Sequence, residues 1–260
     1  MGDALVAILS QPLWVFLSVL ARISPPLMLA PPARSTAVPM RIRGLVAVGA
    51  AALLTPMAMP TALPLPGDVL NVAISMTGEI LLGILLGSII LFAVSSLQVA
   101  GQTVGHLAGF DIATASDPGS DEQMPVVSNL LGYFAMVIFL LVGGHRQLMR
   151  CCLESFTAYP AGAVVFSTSW LVELDIALRH TFVIGIRAAA PMAIALLMAN
   201  LVTGLLARTL PQLNVLAIGF NINAMALLLL LFASVGGVSW IFQNELTVWL
   251  DGCRRIVAGS

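Results

Sequence analysis

The chain contains no lysine: its eleven cationic side chains are all arginines. Charge is scarce altogether, at 9% of 260 residues, whereas soluble globular domains carry roughly 25%. So few charges could not cover a water-facing exterior, which places the chain in or against a bilayer or deep inside an oligomer. A net charge of -1 with no basic run gives no basis for a nucleic-acid partner. Cysteine is equally sparse. Cys151 and Cys152 are adjacent and Cys253 lies far away, which makes neither a disulfide framework nor a zinc pattern; they are expected to be small core residues. There is no Gly-x-Ser-x-Gly elbow, no His-Glu-x-x-His and no phosphate-binding loop. His106, His145 and His180 are widely separated, so each is expected to hydrogen-bond rather than ligate. No catalytic set assembles; the expectation is a protein that is no enzyme and carries no cofactor and no metal.

What the chain has is apolar length, with 59% hydrophobic residues. Leu5 to Ala21 is a first apolar run, and the acid at Asp3, where a signal peptide is basic, predicts that it is retained. Arg22 to Arg43, with Pro25, Pro26, Pro31, Pro32 and Pro39, predicts a stiff, broken connector, since each proline removes a donor and biases its predecessor to extended backbone. Gly44 to Leu54 is a second helix candidate, weakened by Pro56 and Pro60. Val69 to Ala100 is the longest run, and Leu130 to Val142 is short of the ~20 residues that span a bilayer. It ends at Gly143-Gly144-His145-Arg146, and a mixed segment follows to Phe156. A loop around Tyr159-Pro160 leads to amphipathic Trp170–Arg179 and then to apolar Thr181–Ala207 with Arg187 embedded. Arg208, Pro211, Gln212 and Asn214 form a polar break before Val215–Phe242. The tail 243–260 has the pattern of an amphipathic helix lying at an interface.

Residues 101–129, between two apolar runs, are the longest polar interval. They carry four acids (Asp111, Asp117, Asp121, Glu122), four glycines (Gly101, Gly105, Gly109, Gly119) and no arginine. Such a stretch is either a solvated connector or a reshapeable segment, glycine permitting new backbone paths at low steric cost. Phe110 and Met124 could seal apolar gaps in it. Glu79 is an acid inside the longest apolar run, a functional hypothesis by default, with hydrogen bonding to a neighbouring helix or subunit as the plainer role. Were that helix to continue, ~100° per residue would set Gly83, Gly87, Gly101 and Gly105 within roughly 40° of one another, a stripe suited to close helix packing.

Six spans in strict alternation put Arg22–Arg43 and Arg208 on one side and Arg146, Arg150, Arg179, Arg254 and Arg255 on the other. No positive-inside asymmetry results. Short runs and many prolines favour helices that do not cross the membrane in simple alternation.

Several stretches together resemble the FliR family of flagellar export-gate proteins and their injectisome SctT relatives. They are Val38-Pro39-Met40-Arg41-Ile42-Arg43; Glu79 with Leu82-Gly83 and Leu86-Gly87; and Ala100-Gly101-Gln102 through Gly109-Phe110 and Asp117-Pro118. Phe139-Leu140 with Gly143-Gly144-His145 follows, then Glu154-Ser155-Phe156 with Pro160, then Pro191, and Arg208 through Pro211-Gln212-Leu213-Asn214-Val215 to Ile218-Gly219-Phe220. Asn221 stands where the family often has proline, and Gly119-Ser120-Asp121-Glu122 is more charged than usual. The resemblance implies an all-α, membrane-associated fold of broken helical hairpins, one domain over 1–260, within a helical hetero-oligomer. It implies FliP-like and FliQ-like gate subunits and an FlhB-like protein as partners, with membrane lipid and unfolded exported proteins. The place implied is the bacterial inner membrane, at a flagellar basal body or injectisome base. It further implies that about 101–127 plugs a pore, with Gly101, Gly105, Gly109, Phe110, Asp117, Pro118 and Met124 as plug residues. Glu79, Gly83 and Gly87 are expected to pack helices. A rival expectation is a small secondary transporter built on an intramembrane Glu79–Arg187 pair.

Overall fold

A computed structural model describes residues 2–29, 39–109, 126–164, 166–209 and 215–258. Among the described residues the regular structure is wholly helical: α1 (Gly2–Leu29), α2 (Met40–Ala58) with a 3-10 turn (Met59–Thr61), α3 (Val69–Ala108), α4 (Val126–Leu141), α5 (Gly144–Ala158), α6 (Thr168–Thr209) and α7 (Val215–Ala258). Five of these helices are long and apolar enough to cross a membrane. A sixth candidate is the pair α4 and α5, bent by 66°. The bend sits at Gly143, whose φ of 78° is the left-handed conformation that glycine tolerates.

Several boundaries differ from those the sequence predicts. Pro12, Pro25 and Pro26 lie inside α1, so Arg22 to Leu29 is helix, not connector, and Met40 already opens α2. Membrane-type helices tolerate such prolines where the backbone groups they free find other hydrogen-bond partners. Pro56 likewise stays within α2. The interval expected as a loop over 101–129 is helical at both ends, since α3 continues to Ala108 and α4 begins at Val126. Trp170–Arg179 and Thr181–Ala207 are one helix through Pro191. Arg208 extends that helix as an exposed residue of its last turn, whereas Pro211, Gln212 and Asn214 lie outside the described residues. The tail continues α7, and its apolar face is not free for an interface: Leu246, Trp249, Leu250, Cys253 and Ile256 are buried. Protein packing has taken the surface that the amphipathic pattern offered to lipid.

The chain packs as two compact units. One comprises residues 1–92, 143–178 and 247–260. Its core gathers Trp14, Val15, Val19, Ile23, Ala51, Phe156 and Ala161. Gln11 staples the turn after α2 to α1, donating from Nε2 to the Leu63 carbonyl at 3.0 Å and accepting from the Leu65 N–H at 3.0 Å. The Leu63 N–H in turn donates to the Ala161 carbonyl at 3.0 Å.

The other unit comprises residues 93–142 and 179–246. Here α3 meets α4 at Gly101, where a Cβ would lie 2.6 Å from the Ser128 Cα. Ser128 Oγ donates to the Gln98 carbonyl at 3.0 Å across the same contact. On α6, Gly185 packs against the Ser96 carbonyl of α3, which a Cβ would approach to 2.9 Å. Small residues thus let backbones meet closely at both crossings.

Candidate functional site

Within the first unit, α1 presents Val15, Ser18, Val19, Arg22 and Ile23 on one fully buried face. Arg22 therefore points its guanidinium into protein, where an unpaired charge is prohibitive. Glu79 of α3 meets it, with Arg22 Nε donating to Oε2 at 2.6 Å and Nη2 to Oε1 at 3.0 Å. Both side chains are 0% exposed. Nη1 donates to the Ser155 carbonyl at 2.9 Å and to its Oγ at 3.1 Å. Ser155 Oγ in turn donates a hydrogen bond to the Cys152 carbonyl at 2.6 Å. The Phe156 ring lies 4.0 Å from the guanidinium carbon. Glu79 Oε1 also accepts the Gly162 N–H at 2.8 Å, from a loop residue with φ 84°.

This node ties α1, α3, α5 and the loop after α5 to one forked pair. Such geometry is what offsets the desolvation of two buried charges. Every lobe of the carboxylate that the fork and the loop can reach is used, so the node fits a lock better than a proton carrier.

Glycines let the lock close. Gly83, one turn beyond Glu79, packs directly on the Arg22 carbonyl, and a Cβ there would overlap that oxygen. That carbonyl is the one that Pro26, lacking an N–H, cannot serve within α1. Gly87 continues the contact, with a Cβ 2.9 Å from the Pro26 Cα. Gly83 and Gly87 thus receive the proline-bearing end of α1, while Gly101 serves the α3–α4 crossing and Gly105 is buried on α3. The helical register of the stripe is real, but its members serve different neighbours.

Arg22 is the residue that sequence reasoning missed, because the prolines after it suggested a connector. The available signal was register: Arg22 follows Val15 and Val19 at helical i, i+4, i+7 spacing.

The Glu79–Arg187 pair of the transporter alternative is not formed. The Glu79 carboxylate is taken by Arg22, and Arg187 Nη1 lies 3.3 Å from Glu245 Oε1, with His180 Nε2 on Glu245 Oε2 at 2.9 Å.

In the second unit, the feet of the acidic segment are held by identifiable contacts. Gly101 and Ser128 bring the end of α3 beside the start of α4. Asn200 of α6 donates from Nδ2 to the Leu107 carbonyl at 2.9 Å, two residues before Gly109 with its φ of 81°. Asn223 of α7 donates to Asn200 Oδ1 at 2.6 Å and orients that amide. Of the plug residues expected from sequence, Gly101, Gly105 and Gly109 belong to this foot; Phe110, Asp117, Pro118 and Met124 lie outside the described residues. Among the described residues no group of His, Cys, Asp or Glu could hold a metal ion.

The family profile for bacterial export proteins, family 1, matches residues 13–248. The flagellar biosynthetic protein FliR of Escherichia coli (strain K12) is 34% identical over 161 residues, 60% of this chain and 62% of that protein. The chain thus spans under two thirds of that relative's length. FliR of Caulobacter vibrioides is 24% identical over 233 residues, 90% of this chain and 93% of its own. The secretion system apparatus protein SsaT of Salmonella typhimurium is 26% identical over 159 residues, 61% of each chain. A profile that runs from α1 into α7, over helices of membrane-spanning length, leaves one conclusion: the chain belongs to family 1 of the bacterial export proteins.

Proposed function

We propose that this protein is the FliR-type subunit of a type III export gate in the bacterial inner membrane. It assembles with FliP-like and FliQ-like subunits and an FlhB-like protein, and unfolded substrates pass through the pore they build together. Its part is structural: it shapes and closes the conduit. The segment from Gly101 to Val127 acts as the plug.

The observation that carries this reading is the anchoring of both feet of the acidic segment. α3 and α4 are pinned together at Gly101 and Ser128, and the last turn of α3 is held by Asn200. These contacts fix the two points between which the proposed plug runs. The Arg22–Glu79 lock lies in the other unit and keeps its helices fixed meanwhile.

Two measurements test the proposal. Affinity purification from membranes is expected to recover FliP- and FliQ-like subunits with the chain; recovery of the chain alone, in a functional state, would overturn the assignment. In a planar bilayer, the purified complex lacking residues 115–122 is expected to conduct ions more than the parent. Equal conductance with normal assembly would reduce the segment to a connector.

A further inference from the structure

The thiols of the three cysteines serve neither the lock nor the feet of the acidic segment, yet the fold gathers them. Cys151 and Cys152 of α5 and Cys253 of α7 lie in the first unit, all of them free and buried. Their spacing in sequence suggested no disulfide framework. In the fold, however, the Cys151 and Cys253 thiols share a hydrogen bond across the contact of α5 with the end of α7. Adjacent helical residues point ~100° apart, and Cys152 lies instead beside Arg22 of the lock.

The two members of the pair differ in their surroundings. Cys253 is 0% exposed, whereas Cys151 is 3% exposed and has Glu154 of its own helix and Asp251 and Arg254 of α7 as neighbours. Those three charged side chains are about half exposed, so Cys151 is the thiol nearer water. A solitary buried thiol is inert packing. One that borders a polar rim and has a second thiol against it already has its resolving group in place.

We propose that Cys151 and Cys253 are a reversible dithiol–disulfide site, oxidised by a peroxide, that fastens the end of α7 to α5. Cys151 reacts first: its sulfur attacks the peroxide, the O–O bond breaks, and a sulfenic acid and one water result. The Cys253 sulfur then attacks that sulfur; the S–S bond forms, the S–O bond breaks and a second water leaves. Two thiols thereby lose two electrons and two protons, and one hydrogen peroxide is reduced to two waters. A thiol reductant reverses the step by exchange through a mixed disulfide. The bond closes a long loop of chain and so stabilises by constraining the unfolded state. It also acts on the helix of the lock, because the α5 turn that begins at Cys152 carries Ser155, which accepts from Arg22. The site stands independently of the export-gate reading, and its test requires no partner subunit.

The test treats the full chain in native membranes with graded hydrogen peroxide, then unfolds it and counts free thiols with a maleimide mass tag. The three tags of the reduced chain are expected to fall to one, with a Cys151–Cys253 cross-linked peptide in the mass spectrum. Dithiothreitol is expected to restore all three. Cys152→Ser is expected to form the same cross-link, and Cys151→Ser and Cys253→Ser to form none within the chain. Once purified, the oxidised chain is expected to melt at least ~5 °C above the reduced one. Retention of all three tags at doses that oxidise the urea-unfolded chain overturns the proposal. So does a cross-link that joins Cys152 or two separate chains, and equal melting of the two forms overturns the fastening of α7. The peptide map is read on the parent, so it decides the matter even where a serine variant fails to fold.

Discussion

Replacing Glu79 by leucine attacks the lock at its acceptor. The substitution removes hydrogen bonds of 2.6 and 3.0 Å to Arg22 and one of 2.8 Å to the Gly162 N–H. Arg22 is 0% exposed and cannot turn to solvent. Removing one member of such a pair costs about 3–5 kcal/mol, which is two to three and a half decades in a folding equilibrium at ~1.4 kcal/mol per decade. Domains have only ~5–15 kcal/mol in hand. With ~2–4 °C lost per kcal/mol for a chain of this size, the purified protein should melt roughly 6–20 °C lower. Glu79→Gln should lose less than Glu79→Leu, because its oxygen can occupy the Oε1 position and accept from both Gly162 and Arg22, although it leaves Arg22 without a counter-charge and sets an amide N–H against Nε–H. The double change Arg22→Met with Glu79→Leu should melt above Glu79→Leu alone, as both buried charges are then gone. Size-exclusion after stepwise heating reads all five proteins, the Arg22→Met single included. The lock is refuted if Glu79→Leu melts within 2 °C of the parent (~2 °C being the shift for only ~1 kcal/mol), or if the double change loses the sum of the singles. Export abolished by Glu79→Gln, with melting unchanged, would instead assign the carboxylate to proton handling.

Gly83→Ala and Gly87→Ala should each destabilise by about 1–3 kcal/mol and reduce folded yield, because the new methyl meets α1 backbone at Arg22 or Pro26. Gly49→Ala on α2 is the control, with nothing within 4 Å of its Cβ; it should be neutral or gain up to ~1 kcal/mol from helix propensity, and equal losses at all three sites would dismiss the close-contact argument. Asn200→Leu should orphan the Leu107 carbonyl and free the Asn223 amide, lowering stability by about 1–3 kcal/mol and raising the conductance of the complex. Unchanged conductance with lowered stability would separate this clamp from the plug. Phe110→Ala should leak less in the bilayer assay than deletion of residues 115–122, since one seal is lost while the segment still fills space; the reverse order would place the seal at Phe110.

Composition placed the chain in or against a bilayer or deep inside an oligomer, and the family likeness implied the all-α architecture. With 9% charge and long apolar runs, a chain in lipid must satisfy every backbone group internally, and helices do so segment by segment. The family likeness was also legible in linear order, because its motifs are short and local. Element ends were not. Pro25, Pro26, Pro56 and Pro191 disrupt a helix in isolation, yet each stands inside one here, and local sequence does not say which prolines a helix will carry. Register showed that Gly83, Gly87, Gly101 and Gly105 share a face, but could not show that Gly83 meets Arg22 while Gly101 meets Ser128. Nor could it choose a partner for Glu79 between Arg22, 57 positions away, and any other arginine. Hydrophobic spacing is a property of one helix, and it names the buried face. Which helix lies against that face depends on side-chain volumes and hydrogen bonds between segments far apart in the chain, and only the tertiary structure decides that.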